Sequence, residues 1–466
     1  MRHAVRLAVA MAALTLSACG VGSDGTTEVT SNCLPQLPDP VPAITAARPD
    51  AIDVYLDTSV SSTHFGRAEA GTPYRDVLAF LIDEVGRSDR SNLLGFANAI
   101  APIDTDAARA AARGTAGVCA ACGQSQTRLD DLLSRLAGDR NAPLSVAVTD
   151  LWLDNNDVLD SRSLSLSRPL RDIMESGRAI GIVGVPAPYT QQVYDIPVGA
   201  RTATLPRGSV RSRPFFILLI GEPDEVMGMK SMLDRDVLAG DLAGISRFAI
   251  FSPEPILESG GLAVATPIGA DEAFTYPTTF VSDREDIPAL RISKSVAGDL
   301  VFAADEGNES SAQGLVLPTG AAAGTDVILS AAVWALEGPW SEACDPTTEL
   351  ESWVEAPDFP RTYVNGDKAG DYIFSAADEM WLDLPSGETY YMVWEAVGSG
   401  PSATGDISWL ENWSFAPSEG AALLDSPPDV FPVLNLATFR DLLMRAQADA
   451  NPSPRLASGA LIIETE

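Results

Sequence analysis

Histidine is nearly missing: 466 residues contain two, His3 and His64. A chain so poor in imidazole has nothing with which to complete a histidine-ligated zinc set. A Ser-His-Asp hydrolase would have to pair His64 with a distant serine, and no G-x-S-x-G turn is present. Lysine is scarce as well, with Lys230, Lys294 and Lys368 far apart. Against 31 basic residues stand 64 acidic ones, giving a formal charge of −33. Such a field repels phosphate backbones, so no nucleic-acid partner is expected. No glycine-rich loop leads to a lysine and a hydroxyl, which argues against phosphate-loop nucleotide chemistry. Beyond residue 19 no run is long and apolar enough to span a bilayer.

What is present suits a folded, exported protein. With 46% hydrophobic and 20% charged residues, the chain can build real cores, and its length suggests two or three domains at roughly 150 residues each. Residues 1–19, MRHAVRLAVAMAALTLSAC, carry Arg2 and Arg6 before an apolar stretch, the layout of an export signal. Leu16-Ser17-Ala18-Cys19 resembles the bacterial lipobox, which implies cleavage before Cys19 and lipidation of its thiol. An ordinary signal peptide or a short membrane anchor is the alternative. Residues 20–50 are rich in Gly, Ser, Thr and then Pro, and read as an extended tether. The expected location is a bacterial membrane, held by lipid. In a Gram-negative cell, Gly20 is compatible with the outer membrane, facing periplasm or surface.

Cys33, Cys119, Cys122 and Cys344 remain for a compartment that favours disulfides, and four cysteines allow three pairings. Cys119-Ala-Ala-Cys122 has redox or half-metal-site spacing, but no second C-x-x-C accompanies it. A local structural disulfide between Cys119 and Cys122 is the reading preferred. The pairing of Cys33 and Cys344 stays open.

From residue 51 to 255 strands and helices alternate. Strands are expected at 51–56, 93–103, 144–149, 179–185, 214–220 and 248–251, with helices at 74–85, 127–136, 166–176 and 224–238. Several strands are apolar throughout, as in a sheet covered on both faces. This predicts an α/β fold, a doubly wound, mostly parallel sheet flanked by helices. A hairpin near 188–213 is inserted between two core strands.

In such sheets ligands gather beyond the carboxyl ends of strands. Asp57, Ser59 and Ser61 form D-x-S-x-S directly after the first strand. With Thr127 opening a helix and Asp150 ending LSVAVTD, they resemble the metal-ion-dependent adhesion site of von Willebrand factor type A domains. The resemblance implies magnesium, or manganese or calcium, at Asp57, Ser59, Ser61, Thr127 and Asp150. It covers about 200 residues and nothing after them. The chemistry is consistent: hydroxyls offer hard oxygen ligands, while two carboxylates against a divalent ion leave little net charge, so the metal can still attract an acidic group of a partner. Alternate residues in an extended turn would aim Ser59 and Ser61 at one point. The bland alternative is that Asp and Ser simply end a strand, because their side chains bond nearby backbone. The chain also departs from the family, which commonly has glycine after its last aspartate where this chain has Leu151 and Trp152. Asp154 and Asp157 read as a solvated acidic loop, the alternative being a calcium loop without the glycine and terminal glutamate of an EF-hand. His64 reads as a surface residue, the alternative being that, three residues past Ser61, it faces the site.

After residue 255 helical periodicity fades. A mostly β, sandwich-like domain is expected from 265 to 466, ending in a helix capped by Asn435 and a last strand. Its clearest hairpin turns at Pro385-Ser386-Gly387. Trp334, Trp340, Trp353, Trp381, Trp394, Trp409 and Trp413 read as core; the alternative is a row that stacks on sugars. Two functions remain. One is a lipid-anchored envelope protein that engages a partner protein through the metal. The other is a lipid-anchored, metal-dependent hydrolase of envelope material using Asp57 and Asp150, or a scaffold with an inactive site. Binding is favoured, since an open cation with hydroxyl ligands needs no general base.

Overall fold

The computed structural model describes residues 41, 44–66, 72–112, 119–123, 127–153, 163–256, 266–268, 274–275, 289–292, 314–318, 326–337, 353–356, 364–365, 371–375, 384–399 and 407–465. The signal segment with Cys19, most of the tether, Cys33, Cys344, Asp154, Asp157, Trp340 and Trp381 lie outside them.

The first strands are β1 (Ile52–Asp57), β2 (Asn92–Phe96), β3 (Ile100–Pro102), β4 (Leu144–Thr149), β5 (Ala179–Pro188), β6 (Val193–Val198), β7 (Arg201–Leu205), β8 (Ser212–Gly221) and β9 (Arg247–Phe251). Between them run α1 (Val60–Gly66), α2 (Pro73–Val85), α3 (Thr105–Ala112), α4 (Leu129–Gly138), α5 (Ser163–Glu175) and α6 (Pro223–Asp236). Seven strands form one sheet in the order β3-β2-β1-β4-β8-β5-β9.

Side-chain alternation makes this sheet the middle of three layers. Along β8, Phe215, Ile217 and Leu219 join a core with Val77 and Leu81 of α2 and Met229 of α6. Phe216, Leu218 and Ile220 join the opposite core with Leu132 of α4 and Leu170 of α5. Successive residues of a strand point to opposite faces, so a run that is apolar at every position must be covered twice.

The sheet is mixed. β2, β1 and β4 pair in parallel, whereas β3–β2, β4–β8, β8–β5 and β5–β9 are antiparallel. The strands β1, β2, β4 and β5 therefore share a direction and β3, β8 and β9 oppose it. The expected doubly wound order changes at β8, for a physical reason. β5 and β8 are joined through the β6–β7 hairpin without the helix that usually carries the chain between parallel neighbours, and they pair antiparallel. β8 thus returns between β4 and β5. The single strand expected at 93–103 is likewise two: the chain bends at residues 97–99 and β3 folds back on β2.

The chain before β1 is fastened to the amino-terminal edge of this layer. The Ala47 N–H donates to the Asp224 carbonyl at 3.0 Å, and Arg48 Nη2 donates to the Glu84 carboxylate at 2.8 Å. Gly228 permits the approach, since a Cβ there would lie 1.8 Å from the Ala47 oxygen.

Beyond the short parallel pairing of Ser414–Phe415 with Val433–Leu434, later strands form two further sheets. One is four-stranded and antiparallel; the other is six-stranded, with Arg455–Thr465, Thr389–Ser399 and Asp326–Leu336 as antiparallel neighbours at its centre. Only the pairing of Ala289–Ile292 with Arg455–Thr465 in that sheet is parallel. Of the five described tryptophans read as core, Trp353, Trp394 and Trp409 are buried and Trp334 and Trp413 half-buried.

The segment 407–450 contains α7 (Ser408–Asn412), α8 (Gly420–Asp425) and α9 (Leu436–Ala450), and it returns to the α/β layer. Phe439, Leu443 and Ala446 of α9 share a core with Leu166, Leu170 and Ile173 of α5. The final helix, expected with the β-rich region, instead covers the face left open by β5 and β9. Asn435 precedes α9 in a left-handed conformation, φ +60°, and makes no side-chain cap. Its amide donates to the Leu153 carbonyl at 3.0 Å instead.

Candidate metal centre

The five residues expected as ligands gather at the carboxyl ends of β1 and β4. Asp57 ends β1 and is 2% exposed. Its Oδ1 accepts the Ser59 N–H at 2.8 Å, a bond that turns the chain out of the strand. Ser61 then lies in the first turn of α1 rather than in an extended turn. Helical winding still brings the two hydroxyls together, with Ser59 Oγ and Ser61 Oγ 3.3 Å apart.

Thr127 is held beside the end of β2. The Arg128 N–H donates to the Ala97 carbonyl at 3.1 Å, and the Ala99 N–H to the Cys122 carbonyl at 3.0 Å. Cys119 and Cys122 are joined by a disulfide. So fixed, Thr127 Oγ1 stands 3.0 Å and 3.2 Å from the two Asp57 carboxylate oxygens, across 70 residues of sequence. It precedes α4 and does not open it; Arg128 intervenes. Thr149, which sequence reasoning passed over, donates to Asp57 Oδ2 at 2.7 Å. Its place beside Asp150 at a strand end was the only signal.

Asp150 is fully buried, with Oδ1 accepting the Trp152 N–H at 3.4 Å. Between them Leu151 adopts φ +47°, a left-handed conformation that a Cβ disfavours by roughly 1–2 kcal/mol. This is the position at which glycine was the expected choice. Burial, and then the nearby charge of Asp150, push the Asp57 carboxyl up to about 6, against the pull of hydrogen bonds from Ser59 and Thr149.

One charged residue of the centre went unread in the sequence. Arg213, second residue of β8, is 1% exposed and places Nη2 3.2 Å from Asp150 Oδ2. Its guanidinium lies 4.6 Å from the Trp152 ring centroid and 5.5 Å from that of Tyr189. The signal was slight: a basic residue opening the apolar run PFFILLI. His64, expected at the surface, is buried; its Nδ1 lies 3.4 Å from the Tyr189 hydroxyl, and its ring is tilted against Tyr194. The single imidazole near the centre is thus engaged with phenols.

Chemically the set is two carboxylates and three or four hydroxyls, all hard oxygen donors that suit a magnesium-like ion. The Ser59–Ser61 separation of 3.3 Å is close to the roughly 3 Å between adjacent vertices of an octahedron with bonds of about 2.1 Å. Among the described residues no three His, Cys, Asp or Glu side chains converge, so hydroxyls would supply much of any coordination. Comparison with protein-family models, curated proteins and solved structures finds no match to this chain.

Proposed function

We propose that this protein is a lipid-anchored envelope binding protein with a von Willebrand factor type A-like domain. A divalent ion, magnesium or manganese, is held by Ser59, Ser61 and Thr127 with Asp57 and Asp150, and a carboxylate of a partner protein completes its coordination. One observation carries the reading: Thr127 Oγ1 meets both carboxylate oxygens of Asp57, where a strand-ending turn alone would need no such distant hydroxyl. The chain's own residues would hold the ion and orient it toward the partner, while the ion supplies attraction for an anionic group. No specific observation favours the hydrolase reading, since His64 is turned onto Tyr189 and Tyr194.

Calorimetric titration of residues 44–466 with magnesium and manganese tests the ion. Wild type should bind at millimolar concentration or better and Asp57→Ala should not. A wild type that takes up neither cation would end the proposal. The anchor is tested by Cys19→Ser, which should release the protein from the membrane fraction; unchanged retention would remove that part.

A further inference from the structure

We infer that Arg213 is a resident cation of this centre, set against the ion, and that it lowers the affinity of Asp57 and Asp150 for a divalent metal. The inference rests on the metal reading and adds a residue that sets its strength.

The observations are geometric. β8 runs antiparallel to β4, with Thr149 opposite Phe216, so the start of β8 lies beside the carboxyl end of β4. Arg213 is delivered there because the sheet is mixed. In a wholly parallel arrangement the start of that strand would lie at the far end of the layer. The guanidinium and Asp150 are both essentially without solvent contact, at 1% and 0% side-chain exposure. Arg213 Nε and Nη2 and Asp150 Oδ2 make no hydrogen bond, so the contact is a close pairing of charges rather than a satisfied fork. Two buried carboxylates and one guanidinium leave a net charge of −1, where the metal-binding pair alone would offer −2. A divalent ion entering here is repelled by the fixed cation and finds one carboxylate already neutralised. The same charge leaves the loaded centre more positive, which strengthens its pull on an anionic partner and disfavours neutral ones.

The test compares wild type, Arg213→Met and Arg213→Lys by manganese and magnesium titration, with chelator-treated protein as the start. Removal of the charge should tighten metal binding at least tenfold. Arg213→Lys, which keeps the charge but loses the planar contact with Trp152 and Tyr189, should stay closer to wild type than Arg213→Met. Equal affinity in wild type and Arg213→Met would overturn the inference and leave the metal reading standing. Uptake by none of the three would overturn both. Should Arg213→Met be unfolded in chelator, its circular dichroism is followed as manganese is added. Recovery of the fold by the ion supports exchange of one cation for another. Failure to fold at any concentration, beside a wild type that binds, makes the guanidinium a fixed strut and overturns the inference.

Discussion

Arg213 and Asp150 face each other across 3.2 Å with neither side chain exposed. Breaking a buried pair by removing one partner strands the other charge, at a cost of about 3–5 kcal/mol, whereas replacing both with neutral groups of similar volume is far milder. In chelator, Arg213→Met alone should lower the unfolding free energy by that amount. Adding Asp150→Asn should restore more than half of it. Urea denaturation of the two variants measures the difference, and additive losses would show that the pair is not coupled.

Asp57 gives a pH dependence of defined sign. Its folded-state carboxyl is pushed from 3.8 to about 6, first by burial and then by Asp150. A raised acid of this kind contributes stability that is fully present below pH 3.8 and is lost as pH rises through about 6. Asp57→Asn has no such loss. Between pH 3.5 and pH 7.5 the variant should gain about 3 kcal/mol relative to wild type. Denaturation curves at several pH values in chelator would show this, and a constant offset would refute it.

Gly184 lies on β5 where a Cβ would stand 2.7 Å from a Trp413 ring carbon and 2.8 Å from a Trp409 ring carbon. Gly184→Ala should therefore displace α7 from the sheet and cost roughly 1–3 kcal/mol. Tryptophan fluorescence should shift to longer wavelength as Trp409 becomes wetter.

The Cys119–Cys122 bridge fixes the loop whose backbone holds Ala99 and leads to Thr127. Replacement of both cysteines by serine should weaken metal binding several-fold by loosening Thr127. Both side chains are buried in the core, so the added hydroxyls and the opened loop should also cost about 2 kcal/mol or more of stability. Calorimetry on the double variant reads the first effect and thermal unfolding the second.

Much of the centre could be read locally. D-x-S-x-S follows a strand that is apolar but for Asp53, and Asp150 closes another, so each residue announced itself within its own segment. What escaped depended on partners far along the chain. Arg213 enters because β8 pairs with β4 and not in sequence order, a choice made by the missing crossover helix between β5 and β8. The return of α9 to the α/β layer was hidden for a similar reason. Its stripe of Phe439, Leu443 and Ala446 marks a buried face but does not say which surface buries it. Ser61 was misplaced over a shorter range: the hydrogen bond from the Ser59 N–H to Asp57 starts a helix where an extended turn was expected.

The fastening of residues 44–50 to Asp224 and Glu84 lies at one end of β1, and Asp57 lies at the other. Force between the chain before Ala51 and a partner held at Asp57 would therefore run lengthwise along β1. That strand is clasped on both sides, by β2 from Asp53 to Asp57 and by β4 from Ile52 to Leu56. The hydrogen bonds of a ladder pulled along its strands are loaded together in shear rather than opened one by one. On the proposed reading, tension between a tether and a captured partner would load a strand held by a neighbour on each side.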